Sequence, residues 1–108
     1  MTSMNTCGRG KYKVWLKRQR IGKQLLYTIG GGQKAHIGAM TVCEPGKKPV
    51  TKRLRGHYDH VITEPIAEAA AKKYGVKAAC IGGVHIDDAS REDIKKLVKN
   101  CKELKKFV

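Results

Sequence analysis

Tyr12, Val14 and Leu16 alternate with Lys11, Lys13 and Lys17, the period of two that marks a half-buried strand. The polar run Arg18 to Gly22 reads as a turn, after which Leu25, Tyr27 and Ile29 resume the alternation. Gly30, Gly31 and Gly32 read as a loop, and Ala35 to Cys43 as a third strand. Alternating segments joined by short loops predict an antiparallel meander. Glu44-Pro45-Gly46-Lys47-Lys48-Pro49 breaks the pattern as a surface loop, and Val50 to Leu54 forms a short, basic fourth strand. The period then changes. Ile66, Ala69, Ala70 and Tyr74 share one helical face, between Thr63 as an N-cap, Pro65 in the first turn and Gly75 as the stop. Lys77 to Ile86 is β-branched and small, and reads as a strand buried on both sides. Ser90 followed by Asp93 forms the capping box of a last helix running toward Phe107, with Ile94, Leu97, Val98, Cys101 and Leu104 as its apolar stripe.

The order βββ(β)αβα predicts an α+β fold, an antiparallel sheet of about five strands packed against two helices. A length of 108 residues suits a single domain, placed here at residues 11–108. Residues 1–10 are polar and contain glycine, and read as a flexible N-terminal tail or an early edge segment. No stretch approaches the roughly 20 apolar residues that cross a bilayer, and the N-terminus has no secretory h-region. Cys7, Cys43, Cys80 and Cys101 include no C-x-x-C pair, which argues against a zinc knuckle or redox dithiol. Three of them sit in apolar patterns, where free cysteine acts as a small hydrophobe. This usage points to a reduced, cytoplasmic protein.

Charge widens the choice of partners. Lys and Arg number 23 against 9 Asp and Glu, a formal net charge of +14. Nucleic acid, an anionic membrane surface and an acidic protein are all compatible with that balance. Part of the excess has a structural cause. Lys95, Lys96, Lys99, Lys102, Lys105 and Lys106 fall on the solvent side of the last helix, after Asp87, Asp88, Glu92 and Asp93 at its start, the arrangement that suits a helix dipole.

The candidate chemistry lies in three glycine–histidine clusters: Gly30 to Gly38 with His36, Leu54 to His60 with His57, Asp59 and His60, and Ile81 to Ile86 with His85. Glycine admits close backbone approach, and histidine offers a donor, an acceptor or a metal lone pair near neutral pH. The first cluster lacks G-x-x-x-x-G-K-[ST] and precedes no helix, so it is not a P-loop. Gly38 follows His36 by two residues, on the same face of a strand. Arg55 carries the planar fork that suits a phosphate or carboxylate. Asp59 either fixes a histidine tautomer or caps the following helix. Gly82 and Gly83 read as a bulge or as a close approach by a ligand. The four histidines leave a metal-dependent enzyme as one alternative, and the lysines with Trp15, Tyr12 and Tyr27 leave a nucleic-acid-binding or acidic-partner-binding module as another.

Taken in order, the Gly-Gly…His36-Ile37-Gly38-Ala39, Arg55-Gly56-His57-x-Asp59 and Gly83-Val84-His85-Ile86-Asp87 segments resemble the prenylated-flavin chaperone family, the LpdD-like proteins found beside UbiD-type decarboxylases. The resemblance runs from about Lys11 to Leu104. It implies a non-catalytic accessory protein, with an α+β fold similar to small proteasome-assembly-chaperone domains and commonly dimeric. Its cargo would be prenylated FMN, protected or carried between a flavin prenyltransferase and the decarboxylase apoenzyme. On this reading the cofactor-binding residues are Gly31, Gly32, Lys34, His36, Gly38, Arg55, His57, Gly83 and His85. Lys34 and Arg55 would meet the phosphate, the histidines would meet the ring edge, and Gly38, Gly82 and Gly83 would leave a flat slot.

Overall fold

A computed structural model describes residues 3–54 and 59–108. Six strands form one sheet: β1 (Ser3–Cys7), β2 (Val14–Ile21), β3 (Gln24–Gly32), β4 (Ala39–Cys43), β5 (Val50–Arg53) and β6 (Ala78–His85). Two helices, α1 (His60–Tyr74) and α2 (Arg91–Glu103), complete the α+β fold, and a short 3₁₀ turn follows α2. The strand order is β1-β2-β3-β6-β4-β5. Every pair is antiparallel except β3 with β6, because the chain leaves β3, makes β4, β5 and α1, and returns to fill the gap between β3 and β4. The sheet thus has the expected architecture, with one more strand and one parallel pair.

The sixth strand comes from the segment expected as a tail or an early edge segment, and it takes the second form. Ser3–Cys7 pairs with Val14–Arg18 along the edge of the sheet, so residues 3–7 are an edge strand rather than a flexible end. The turn expected over Arg18 to Gly22 narrows to Gly22-Lys23: Ile21 pairs with Gln24, and Gly22 takes φ +61° to close the hairpin. A polar run with one exposed edge continues the ladder as readily as an apolar one.

Both helices lie on one face of the sheet, α1 over β4 and β6, α2 over β1 and β2. Val14, Leu16, Leu25, Tyr27 and Ile29 meet Ile62, Ile66, Ala67, Ala70 and Ala71 of α1 and Leu97 and Cys101 of α2 in one core. Full burial of each large aliphatic side chain stabilises by about 1.5–3 kcal/mol. Among the described residues, no helix lies over the other face. β6 is therefore flanked by strands on both sides yet covered on one face only: Ala78 and Cys80 are buried, while Ala79 and Ile81 are half-buried, which corrects the expectation of a strand buried on both sides. Among the described residues, no helix is long and apolar enough to cross a membrane.

α1 starts earlier than Thr63. Asp59 occupies its N-cap position, Pro65 lies within the helix, and Gly75 ends it at φ +63°. Thr63 is instead fully buried, its hydroxyl 2.9 Å from that of Thr41, which also meets Thr51 Oγ1 at 2.9 Å. A threonine facing a threonine across a core satisfies both hydroxyls and leaves capping to other residues. The box at α2 forms as read: Ser90 Oγ accepts from the Asp93 N–H at 3.0 Å, and Asp93 Oδ2 accepts from the Ser90 N–H at 3.1 Å.

Candidate functional site

Gly30, Gly31 and Gly32 continue β3 rather than forming a loop, and pair with Gly83, Val84 and His85 of β6. Their lack of side chains is used up by neighbours. A Cβ on Gly30 would meet the Trp15 indole, one on Gly31 the Lys13 carbonyl and Val14 backbone, and one on Gly32 the His85 carbonyl. Gly32 takes φ +75° and turns the chain off the sheet. Residues 33–38 then run beside the end of β6 as a loop, so the third strand begins at Ala39 and not Ala35. The loop is pinned by backbone bonds: Gln33 N–H to His85 O at 2.7 Å, Lys34 N–H to His85 O at 3.2 Å, and Gly38 N–H to Gly82 O at 2.9 Å.

This path carries His36 to the C-terminal end of β6, where α1 begins. Its Nε2 lies 3.2 Å from Asp59 Oδ2, and Asp59 Oδ1 accepts from the Val84 N–H at 3.1 Å. Asp59 is 8% exposed and so holds the loop, β6 and the head of α1 together. Its side chain makes no cap bond to α1, so of the two roles weighed for it the imidazole partner is the one it takes. Such a contact fixes the ring's orientation and tautomer. Gly38 and Gly83 make room for it. A Cβ on Gly38 would fall inside the Asp59 carboxylate, and one on Gly83 would lie 2.8 Å from Asp59 Cγ and 3.0 Å from His36 Cε1. A Cβ on Gly82 would strike the Ile29 carbonyl. The open slot expected from Gly38, Gly82 and Gly83 is thus replaced by the seat of a buried carboxylate and close strand packing.

His85 stands on the other side of the same opening. Its ring is edge-on to that of His36 with centroids 6.2 Å apart, and its Nε2 lies 2.9 Å from Asp87 Oδ1. Gln33 Oε1 accepts from the Asp87 N–H at 2.8 Å, which ties this turn to the loop carrying His36. His36, Asp59 and His85 line one wall of a cavity of about 370 Å³, and Ile62, Val84, Ile86, Ile94, Leu97 and Val98 are among the residues forming the rest. The cavity is polar at one wall and aliphatic at the others. Its size is at the small end of the roughly 300–1,000 Å³ of ligand pockets, enough for a planar ring system with its tail outside.

Of the residues singled out in the sequence, His36 and His85 line this cavity, and Gly38 and Gly83 seat the carboxylate between them. Gly31 and Gly32 act through the backbone path, and Lys34 stands exposed in the loop without lining the cavity. Arg55 and His57 lie outside the described residues. His60 begins α1 away from the cavity lining. Asp59, expected as a histidine partner or a helix cap but not among the cofactor-binding residues, is the center of the arrangement; its signal is an acid beside a glycine–histidine pair and ahead of a helix. The aliphatic wall from α2 carried no signal beyond the core stripe. Among the described residues, no group of three or more His, Cys, Asp or Glu side chains is placed to hold a metal ion.

The cysteines take no part. All four are free, and burial pushes the Cys101 thiol up to about 12 and raises Cys80 as well.

With this geometry in place, the chain can be set beside known families. The model of the prenylated flavin chaperone LpdD-like domain matches residues 8–108, nearly the whole chain. The chain belongs to this family, whose description is that of a chaperone of prenylated flavin. No curated protein matches the chain at a significant level.

Proposed function

We propose that this chain is a non-catalytic carrier that binds prenylated FMN and protects or delivers it for the apoenzyme of a UbiD-type decarboxylase, taking it from a flavin prenyltransferase. The match of residues 8–108 to the prenylated flavin chaperone family carries this reading. The cavity between His36, Asp59 and His85 is the proposed seat of the ring system. Its two imidazoles suit the heteroatom edge of the flavin, and its aliphatic wall suits the prenyl-derived carbons. Lys34, on the loop beside the opening, and Arg55 are the proposed phosphate partners; Gly31, Gly32, Gly38 and Gly83 shape the site, and His57 belongs to the proposed set. Free cysteines suit a reducing compartment, and we place the carrier in the cytoplasm.

A homodimer through the open sheet face is part of the proposal. Met40 and Val42 are exposed opposite the buried Thr41, and cross-strand pairing sets them beside Ile81, Ala79 and Val50. An uncovered sheet face this apolar is the usual ground for a second layer.

The experiment is anaerobic titration of reduced prenylated FMN into wild-type protein and the variants His36→Ala, His85→Ala and Asp59→Asn, read by native mass spectrometry. We expect each substitution to weaken binding about tenfold or more, in line with loss of a charge-assisted or positioned hydrogen bond. Wild-type affinity in all three would remove the cavity from the site.

A further inference from the structure

The cavity and the lysine excess meet on one helix. Ile94 and Val98 of α2 form part of the cavity wall. The same two residues form the floor of a shallow groove along the outer side of α2, bordered by Lys95, Lys99, Lys102 and Lys106 and by one acid, Glu103. Ile94 is 52% exposed, an apolar side chain between the cavity mouth and the basic strip. Glu92 and Glu103 stand 3.8 Å from Lys95 and Lys106, the separation of loose surface pairs, which contribute little. Asp93, the remaining acid of α2, is turned away to Tyr12, Ser90 and Lys11. The strip thus keeps its positive field.

We propose that this α2 groove is the docking surface for an acidic protein, so that a bound partner covers the Ile94–Val98 rim and faces the mouth of the cavity. Charge complementarity selects an acidic partner, and the apolar floor selects a protein over a polyphosphate. The basic side chains of the strip are lysines, hydrated point charges that steer encounter, and not the bidentate arginines that clasp phosphates. Among the described residues no aromatic ring lines the groove, so these offer no platform for stacked bases. The cargo reading enters only in the choice of partner for the test: the acceptor of the cargo is the protein that must meet the cavity mouth.

The test measures binding of the full chain to a UbiD-type decarboxylase apoenzyme by biolayer interferometry at several salt concentrations, with a double-stranded oligonucleotide as the competing probe. Lys99→Glu with Lys102→Glu should weaken apoenzyme binding at least tenfold, and Lys99→Ala with Lys102→Ala should do so less steeply. Lys23→Glu with Lys48→Glu makes the same change of net charge in two hairpin turns, and should leave binding within about threefold of wild type. Circular dichroism confirms that each variant is folded. Equal losses for the groove and hairpin variants, no binding by wild type, or tighter groove-dependent binding of the oligonucleotide would each overturn the proposal. Flavin titration of the same variants keeps the two readings apart: a chain that docks through α2 yet binds no flavin sinks the cargo reading and leaves the docking surface standing.

Discussion

Asp59 has two carboxylate oxygens and two separate tasks, one toward the His36 imidazole and one toward the Val84 N–H. The space it fills exists because Gly38 and Gly83 have no side chain. Gly38→Ala should therefore cost on the order of 1–3 kcal/mol, the range for forcing atoms into a packed site. In an Asp59→Ala background most of that cost should vanish, since the new methyl then has the vacated volume. A double-mutant cycle by urea unfolding measures this coupling, and full additivity would contradict the seat described here. A second residue-scale prediction concerns Asp93. The Tyr12 hydroxyl donates to its Oδ1 at 2.5 Å, and with the Ser90 backbone and Lys11 it holds the carboxyl down at about 2. A lowered folded pKa means that the unfolded chain binds the proton more readily. The stabilisation is present above the ordinary aspartate value near 3.9 and is lost as pH falls toward 2. Urea midpoints should drop between about pH 4 and pH 2, and Tyr12→Phe should flatten that drop because it removes the largest cause of the shift.

Elements capped or turned by local chemistry were legible in the sequence, and those set by distant partners were not. The α2 box is read from Ser90 and Asp93 alone, since both partners lie within one turn. Ser90→Ala should cost about 1 kcal/mol, a fall of about 4–8 °C in Tm for a domain near this size. No change in Tm would show the box to be idle. The start of α1 was read four residues late, because Thr63 looks like a cap until its hydroxyl is seen facing Thr41 across the core. Gly30–Gly32 look like a turn until Trp15, Val14 and His85 are seen filling the missing Cβ positions. For β1 the sequence leaves a tail and an edge segment both open, because its polar residues carry no buried face to mark a strand. At the candidate cavity, His36 and His85 are lining residues that composition and order single out. The contact of Asp59 with His36 is not legible in the sequence, because it spans 23 positions.

At the scale of the molecule, two helices cover one face of the sheet and no described element covers the other, while a single helix borders both the cavity and the lysine groove. The bare face should mediate self-association: light scattering after size exclusion should give a dimer for wild type and a monomer for Val42→Lys, and a monomeric wild type would contradict that part of the account. The central claim is the cargo. Anaerobic native mass spectrometry of the wild-type chain with equimolar reduced prenylated FMN and ordinary FMN tests it most directly. The account predicts stoichiometric, selective retention of the prenylated form. Retention of neither flavin, or equal retention of both, would contradict it.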